Sequence, residues 1–515
     1  MTARDPGRAP SIPELAVWLA LAALCAAAVA PAYMNHDAAW YLYMVDRWRD
    51  GATLYRDVID TNPPLIIWLS APPVLLGRAL HIGAPALFKI YVFALALWTI
   101  GSCLRIVRRS WPDRLFPIVT VVTFVCLPFV KQDFGQREHF ALLLTLPYIL
   151  MAASRASFSS GESWLVGVAA GVGFALKPHF VVAWVLVEAA AVASSSPKRL
   201  RSIPPIAVVL TFCAYAAAVL LFTPQYLGVA AQVREVYGGL NTPVSALLRL
   251  TDVQIWVAAA AAMALVRWHR EDAPVILTFA AATGFLVAAL LQLKGWSYHL
   301  YPARSLLALF FVLTGVVLLE RAAELAATMR GGRRGLAVVF ALVAMAASAR
   351  YVLEARHPLA PDLVGPLIAA IHERAPQGPI AVLSTAMFVY PAFPAVNYTH
   401  AAWALRQNSL LFVTGIYALE RVPRGSIATL HAPSVMGRLE AGLFEELVED
   451  LCRHPPRLLL VDALDLENRS ARPTFDVLAY LRQDARLAGL LDGYRTDGRV
   501  GPLSVLTGGG DVACR

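Results

Sequence analysis

The sequence contains little charge. Lys, Arg, Asp and Glu make up 15% of its 515 residues, whereas apolar residues make up 58% and the mean hydropathy is +0.59. Soluble domains carry about 25% charged residues, which keep their surfaces in water. This shortage of charge excludes a soluble protein and predicts a membrane protein with many spans and some polar mass attached.

The sequence also lacks the common motifs of nucleotide, metal and hydrolase chemistry. It contains no nucleotide-binding glycine loop, no HExxH helix, no CxxC pair and no GxSxG elbow in a usable context. The net charge of +9 does not indicate nucleic acid, because the arginines cluster in short loops between apolar runs, as they do in cytoplasmic loops. Any group that this protein transfers must therefore arrive without a nucleotide.

Cysteine is scarce as well, with six residues in the chain. Four lie in apolar segments and are predicted to be buried thiols: Cys25, Cys103, Cys126 and Cys213. Cys452 and Cys514 fall in the polar C-terminal part. This last pair can form a disulfide if that part is exported.

Apolar runs that can cross a bilayer, which takes roughly 20 residues, recur along the first 350 residues. They lie near residues 13–33, 86–104, 115–130, 139–153, 203–223, 254–267, 273–293, 302–320 and 334–350. We interpret 163–194 as two short helices that turn at Lys177, and 63–82 as a helix lying in the interface. Every basic cluster then faces the cytoplasm. The sequence thus predicts eleven spans, with the N-terminus inside and the C-terminus outside.

The pattern changes after residue 350. The short apolar runs 378–384 and 455–463 are typical of buried strands, and 363–375 and 440–454 are typical of amphipathic helices. We therefore expect two domains. Residues 1–350 form a helical membrane domain, and residues 351–515 form a small α/β domain outside the membrane.

The polar run 35–64, which follows the first apolar segment, alternates acids with Trp and Tyr. Such rings suit a membrane interface and a sugar equally well. Asp37 lies where the first span ends, so its carboxylate can act as a general base towards a hydroxyl. The alternative is a solvated loop acid or a helix N-cap.

The link 131–139 brings Asp133, Arg137, Glu138 and His139 close together in sequence. Acids and bases at this spacing can bind a divalent cation, orient an acceptor or form ion pairs with one another. All three interpretations stay open from the sequence.

Lys177 interrupts an apolar hairpin that is too short to leave the membrane fully. An ammonium there is costly unless an anion meets it, which favours a lipid phosphate; the alternative is that Lys177 snorkels to water. Lys294 and His299 add a cation and a donor to another outer edge, among aromatic residues that are also typical of an interfacial belt.

The layout resembles the polyprenyl-phosphate-sugar-dependent glycosyltransferases of the GT-C superfamily, especially the bacterial relatives of protein O-mannosyltransferases and of lipid A aminoarabinose transferases. The resemblance rests on NHDAAWYLYMVDRWRDG, LYRDVIDTNPPLIIW, QREH, LKPHF and KGWSYHLYP, and covers residues 10–350. It implies a first outer loop with two interfacial helices and a catalytic base at Asp37. It also implies sugar or acceptor binding by Tyr55, Asp57 and Asn62, and the link 131–139 adds Asp133 and Glu138 as candidates for the same role.

The implied reaction is attack by an acceptor hydroxyl on a polyprenyl-phosphate-linked sugar, with inversion at the anomeric carbon. The lipid phosphate would be bound by Arg137, Lys177, Lys294 and His299. No cofactor is implied, and metal dependence stays open because Asp133 and Glu138 lack the DxD or ExD spacing of some family members.

The Arg- and Ala-rich composition indicates a bacterial cytoplasmic membrane as the location, with a periplasmic C-terminal domain. The expected acceptor is a cell-envelope glycan, lipid or protein, and the partners include membrane lipids but no nucleic acid. A polytopic transporter or lipid flippase is the alternative, since it too has many spans and a broken helix.

Overall fold

The structure, a computed structural model, describes residues 9–265, 268–269, 272–325, 361–376, 378–384, 392–420, 429–462 and 475–508. The described residues fall into two compact units. The first unit lies within Met1–Ala32, Ala86–Ala218 and Thr242–Arg356, and the second within Tyr33–Pro85, Val219–Asn241 and His357–Arg515. The predicted domain boundary after residue 350 lies outside the described residues and stays a prediction.

Helices dominate the first 325 residues. In chain order they are α1 (Ile12–Val29), α2 (His36–Arg49), α3 (Leu65–Leu69), α4 (Ala71–Leu80), α5 (Ala84–Ser110), α6 (Leu115–Cys126), α7 (Arg137–Ala153), α8 (Ser160–Ala175), α9 (Val181–Ser194), α10 (Ile203–Phe222), α11 (Tyr226–Val236), α12 (Val244–Leu247), α13 (Thr251–Leu265), α14 (Ala273–Leu291) and α15 (Tyr301–Leu325). Short 3-10 segments lie at Pro112–Arg114, Pro128–Asp133, Pro178–Phe180, Pro197–Arg201, Tyr237–Leu240 and Ser297–Leu300.

The C-terminal residues alternate helices with strands. In chain order these are α16 (Pro361–Arg374), β1 (Pro379–Leu383), α17 (Ala392–Thr399), β2 (Ala402–Trp403), α18 (Leu411–Leu419), α19 (Arg438–Arg453), β3 (Leu458–Asp462), α20 (Val477–Leu481), α21 (Ala485–Asp492), β4 (Tyr494–Val500) and β5 (Leu503–Gly508). The strands predicted within 378–384 and 455–463 are β1 and β3. The amphipathic helices predicted within 363–375 and 440–454 are α16 and α19.

Six helical segments are long and apolar enough to cross a membrane. They are Ile12–Val29, Ala84–Ser110, Pro112–Asp133, Ile203–Phe222, Ala273–Leu291 and Ser297–Ala322. Helices α7 and α8 and the shorter apolar helices Pro178–Ser194 and Thr251–Leu265 occupy other predicted spans. The predicted span 334–350 lies outside the described residues. The coarse prediction of a mostly helical, multi-pass membrane protein therefore holds, while the count of eleven spans stays a prediction.

The first unit is a helical bundle in which α14 packs between α9 and α15, and α7 packs on α8. Small residues permit the closest approaches. A Cβ on Gly284 of α14 would lie 2.3 Å from Ala183 Cα on α9, and Gly167 and Gly171 of α8 approach α10 at similar distances. Membrane helices commonly pack through such small-residue pairs, because dispersion contacts between helices replace the hydrophobic effect there.

The buried-thiol prediction holds for three of the four cysteines in apolar segments. Cys25, Cys103 and Cys126 are buried, but Cys213 is exposed. The prediction fails for Cys213 because this residue lies on a face of α10 that the other described helices do not cover. Cys452 is disulfide-bonded, and the other half of the predicted pair, Cys514, lies outside the described residues.

The second unit joins the first polar loop to the C-terminal residues. Helix α2 packs on α17, where Asn397 Nδ2 donates to the Ala39 carbonyl at 3.0 Å. The Phe393 ring on α17 lies 4.8 Å from that of Trp40 and 5.3 Å from that of Tyr43. The helix that carries Asp37 is therefore held by residues from the far end of the chain.

A five-stranded sheet in the order β2-β1-β3-β5-β4 forms the core of the C-terminal residues. Strand β1 runs parallel to β2 and β3, and β5 runs antiparallel to both β3 and β4. The buried positions of β1 and the described side chains of β3 are almost all aliphatic, as expected for strands covered on both faces.

His431 lies between two carboxylates of the second unit. Its Nδ1 is 2.6 Å from Glu440 Oε2 and its Nε2 is 2.6 Å from Glu420 Oε1. Glu440 Oε1 also accepts from the hydroxyls of Tyr417 at 2.9 Å and Tyr480 at 3.3 Å. Both ring nitrogens face carboxylate oxygens, an arrangement that favours the doubly protonated imidazole. The hydrogen bond to Glu440 accordingly raises the pKa of His431 above its usual 6.5.

We expect His431→Gln to lower stability in acid more than in base. The pKa of His431 is higher in the folded protein than in the unfolded one. Its contribution to the free energy of unfolding is therefore complete below about pH 6.5 and is lost as the pH rises through the folded-state pKa. Thermal unfolding in detergent at about pH 5.5 should show a loss of a few degrees, on the order of 1 kcal/mol. By about pH 9 the two proteins should unfold close together; a difference that does not change with pH would contradict this account.

Candidate functional site

Asp37 lies in the first turn of α2. The Asp37 N–H donates to Asn35 Oδ1 at 2.9 Å, so Asn35 caps the helix. The Asp37 carboxylate is 16% exposed and lies 3.4 Å from His36 Nε2. The positive end of the helix dipole favours an ionised carboxylate at this position. Asp37 therefore lies at the partly exposed start of α2, and its predicted role as a base is untested.

Tyr55 and Asn62 fix the shape of the loop that follows α2. Tyr55 has a left-handed backbone (φ 66°) and donates its hydroxyl to the Asn62 carbonyl at 2.6 Å. The Asn62 N–H donates to Asp60 Oδ1 at 2.7 Å, and Asn62 Nδ2 donates to the Tyr41 hydroxyl at 3.2 Å. Two residues predicted to bind a sugar or acceptor thus meet in one hydrogen-bonded turn.

Asp57 is held by its own loop. Its carboxylate accepts from Arg56 Nε at 3.0 Å, from Arg56 Nη2 at 2.8 Å and from the Thr53 N–H at 2.7 Å. The hydrogen bonds from Arg56 lower the pKa of Asp57 to about 2. Asp57 therefore stays ionised at neutral pH, and its predicted binding role is untested.

A second polar cluster lies in the first unit, where three helix ends meet. Glu138 stands in the first turn of α7, Lys177 lies in the break between α8 and α9, and His299 lies in the turn between α14 and α15. Lys177 Nζ is 2.5 Å from Glu138 Oε1. The predicted break at Lys177 therefore delivers its ammonium to a carboxylate from another helix.

Gln292 is a member of this cluster that the sequence analysis missed. Lys177 Nζ donates to Gln292 Oε1 at 2.9 Å, and Gln292 Nε2 donates to the Ala288 carbonyl at 2.9 Å. In the sequence, Gln292 stands out only as an amide side chain at the end of the apolar run that forms α14. Gln292 ties Lys177 to α14 and orients its ammonium.

His299 completes one side of the cluster. Its Nε2 lies 3.9 Å from Glu138 Oε1, and it packs at ring distances of 5.2 Å from Trp296 and 4.4 Å from Tyr298. Lys177 Nζ lies 5.7 Å from the centre of the Tyr298 ring. The aromatic side chains thus shield the charges and strengthen their mutual interactions.

Arg137 and Lys294 add positive charge to the same place. Arg137, Lys177 and Lys294 are 3%, 5% and 5% exposed, while Glu138 is fully buried. The charges of all three cations act on His299. The structure thus places three buried cations around Glu138. Buried cations are costly unless anionic groups meet them.

The turn that carries Lys294 is held in an unusual backbone conformation. Leu293 and Gly295 both have positive φ, of 54° and 65°. The Thr242 N–H donates to the Leu293 carbonyl at 2.6 Å, and Thr242 Oγ1 donates to the Lys294 carbonyl at 2.8 Å. The turn is thereby fixed at both of its carbonyls, and Lys294 is held beside the cluster.

His139 and Asp133, which lie close to Glu138 in sequence, have partners of their own. His139 Nδ1 accepts from the Gly135 N–H at 3.1 Å, so its Nε2 donates to the Cys126 carbonyl at 2.9 Å. Asp133 ends a 3-10 segment, and its charge acts on Tyr301 and Arg304. Among the residues that the structure describes, no group of three or more His, Cys, Asp or Glu side chains could hold a metal ion.

The predicted site residues thus divide between the units. Glu138, Lys177 and His299 are close neighbours in the first unit, with Arg137 and Lys294 within electrostatic reach. The predicted site residues of the second unit are Asp37, Tyr55, Asp57 and Asn62.

The helices, their breaks and the terminal sheet define a polytopic helical membrane protein with an α/β part. The crystal structure of ArnT from Cupriavidus metallidurans bound to undecaprenyl phosphate matches at a TM-score of 0.56 and 12% identity, over 98% of this chain and 99% of that one. The apo structure of the same protein matches at 0.50 and 12% identity, over 96% and 97%.

A structure of the Archaeoglobus fulgidus oligosaccharyltransferase matches at a lower TM-score of 0.44 and 12% identity, over 87% of this chain and 68% of that one. No protein-family model and no curated protein sequence matches this chain. The likeness to ArnT shows that this chain has the fold of that protein.

We expect Lys177→Met to destabilise the protein by about 3–5 kcal/mol, because it leaves Glu138 as a buried carboxylate without its nearest cation. Adding Glu138→Gln to that variant should recover part of the loss. Unfolding of these two variants and of Glu138→Gln alone, all in detergent, measures the coupling between Lys177 and Glu138. Lys198→Met, on the exposed segment Pro197–Arg201, is the control and should change stability little. If the two substitutions changed the free energy of unfolding additively, Lys177 and Glu138 would not interact and this account would be wrong.

Proposed function

We propose that this protein is an inverting glycosyltransferase that moves a sugar from a polyprenyl-phosphate donor to an acceptor hydroxyl. The observation that carries the proposal is the buried, cation-rich cluster around Glu138 and Lys177, within a fold shared with ArnT. That ArnT structure was obtained with undecaprenyl phosphate, which supports a lipid phosphate as the anion for which this cluster is built.

The proposed phosphate site consists of Arg137, Lys177, Lys294 and His299. When the bond from the anomeric carbon to the phosphate oxygen breaks, negative charge grows on the departing phosphate. Cations that are already in place stabilise this charge without reorganisation, and they do so strongly in a site shielded from water. Because Gln292 and Glu138 hold Lys177, its ammonium does not have to move during the reaction.

The proposed base is Asp37. The acceptor oxygen attacks the anomeric carbon from the face opposite the phosphate, its proton passes to the Asp37 carboxylate, and polyprenyl phosphate leaves. One such displacement inverts the anomeric centre. Tyr55, Asp57 and Asn62, together with Asp133 and Glu138, are the proposed residues for the sugar and the acceptor.

The proposed setting is a bacterial cytoplasmic membrane with eleven spans, a cytoplasmic N-terminus and a periplasmic domain formed by residues 351–515. The disulfide at Cys452 supports an oxidising compartment for that domain. The proposed acceptor is a cell-envelope glycan, lipid or protein. Polyprenyl phosphate released after transfer stays in the membrane, where the next cycle can use it.

Transfer of a radiolabelled sugar from a panel of polyprenyl-phosphate donors tests the proposal. We expect wild-type protein to turn donor over and Asp37→Asn to lose transfer by about 100-fold or more, because the acceptor proton has no base. Lys177→Ala should lose on the order of 100-fold, because a donor to the developing charge is gone.

Two control variants make the result specific. Asp46→Asn removes another carboxylate of α2, one that binds Arg78 at 2.8 Å, and should keep transfer near the wild-type rate. Lys198→Ala should do the same for the exposed lysine. Absence of turnover with every donor, while the protein binds or moves a solute, would overturn the proposal in favour of a transporter.

A further inference from the structure

Loop 53–62 carries three of the residues proposed to bind the sugar or the acceptor, and its backbone is joined to the C-terminal α/β residues. The Ile59 N–H donates to the Arg406 carbonyl at 2.7 Å. Ile59 also pairs with Gln407 in a parallel β-bridge. The loop therefore takes its position in part from residues near the other end of the chain.

The loop is closed on itself directly beside this connection. The Tyr55 N–H donates to the Val58 carbonyl at 2.8 Å, and Leu54 pairs with Val58 in a second β-bridge. Leu54, Tyr55 and Val58 are all buried. Because Val58 precedes Ile59, a shift of the Ile59 backbone would be passed to Tyr55. The Tyr55 hydroxyl would pass it on to the Asn62 carbonyl, to which it donates.

Asp450 of α19 holds Arg406 at both its backbone and its side chain. Asp450 Oδ2 accepts from the Arg406 N–H at 2.8 Å, and Asp450 Oδ1 accepts from Arg406 Nε at 3.0 Å. Asp450 is buried, and Glu449 adds an ion pair to the guanidinium at 2.9 Å. Hydrogen bonds to charged groups are roughly twice as strong as neutral ones, and a paired set also fixes geometry. Asp450 thus sets where the Arg406 carbonyl lies.

The segment that carries Arg406 is also tied to the sheet. The Ala404 N–H donates to the Ile380 carbonyl of β1 at 2.9 Å, and the Leu410 N–H donates to the Ser384 carbonyl at 3.4 Å. Groups supported by strands and helices are held more precisely than groups on loops alone. The sheet and α19 therefore give Arg406 a rigid support.

We infer that Asp450 and Arg406 are positioning residues for acceptor binding, which act through Ile59 to hold loop 53–62 in the shape that receives the acceptor. The inference rests on the proposed function, and it gives the C-terminal α/β residues a part in the reaction. The proposed phosphate site lies in the first unit and does not use this loop. Displacing the loop should therefore weaken acceptor binding and leave binding of undecaprenyl phosphate unchanged.

Hydrogen–deuterium exchange of Asp450→Asn tests the structural step. An Asn side chain has one amide oxygen and one amide nitrogen, so its nitrogen faces one of the two Arg406 donors and that bond is lost. We expect peptides covering 53–62 to exchange roughly tenfold faster than in wild type, because the bond from Ile59 opens more often. Peptides from α14 of the first unit should exchange as in wild type.

Transfer kinetics of the same variant test the functional step. The probe acceptor is a detergent-extracted bacterial envelope fraction, which contains glycan, lipid and protein together. The donor is the polyprenyl-phosphate sugar that wild type turns over fastest. We expect the half-saturating amount of the fraction to rise on the order of tenfold at an unchanged maximal rate, since a misplaced positioning group can cost up to about 100-fold. Binding of undecaprenyl phosphate should equal that of wild type.

Glu440→Gln is the matched control. Glu440 is a buried acid of the same helix, but its carboxylate contacts Tyr417 and His431. This variant should lower the unfolding temperature and leave both the exchange of 53–62 and the half-saturating amount as in wild type. If Asp450→Asn fails to fold, Arg406→Lys takes its place, because it keeps a cation but loses the paired geometry. It should raise the same two quantities by a smaller factor.

Three outcomes would overturn the inference. In the first, Asp450→Asn leaves the exchange of 53–62 at the wild-type rate. In the second, the loop exchanges faster but the half-saturating amount of the envelope fraction stays the same. In the third, Glu440→Gln raises that amount as much as Asp450→Asn, so that the change reports lost stability alone. Failure of wild type to transfer sugar from any donor would instead refute the proposed function, so the two failures are distinguishable.

Discussion

The contact between Glu138 and Lys177 is the constraint on which the candidate site depends. It joins the start of α7 to the break between α8 and α9, and Gln292 extends the connection to the end of α14. Two charges buried in a helical membrane unit are tolerated only when they are paired or meet a ligand. Three helix ends are therefore held at one point by charged and polar groups, where apolar side chains would often join them at lower cost.

The break between α8 and α9 is what makes this pairing possible. Pro178 cannot continue α8, and the 3-10 turn at Pro178–Phe180 leaves Lys177 extended, with its ammonium 2.5 Å from Glu138 Oε1. Arg137 follows from the same placement, because it is the neighbour of Glu138 in the first turn of α7. Backbone geometry thus sets the positions of these charges, as the proposed phosphate site requires.

The sequence predicted most helices and strands, and it predicted a polar site where burying a charge in an apolar segment would be costly. An ammonium inside an apolar hairpin needs an anion, so Lys177 was predictable, and the apolar runs gave most helices and strands. Gln292 and the orientation of His299 could not be predicted, since both depend on contacts between residues more than 100 positions apart. Asp57 was predicted to bind a sugar or acceptor, but its carboxylate accepts hydrogen bonds from its neighbour Arg56. Sequence patterns can identify a charged residue in an unusual place, but only the tertiary structure shows which residues it contacts.

The most direct measurement is a cryo-electron microscopy structure of the protein with undecaprenyl phosphate. The account predicts density for the phosphate within hydrogen-bonding distance of Lys177 Nζ and next to Lys294, with Glu138 directed away from the phosphate oxygens. A phosphate bound elsewhere, with the cluster around Glu138 unchanged and closed by its own contacts, would contradict the claim that this cluster is the anion site of a glycosyltransferase.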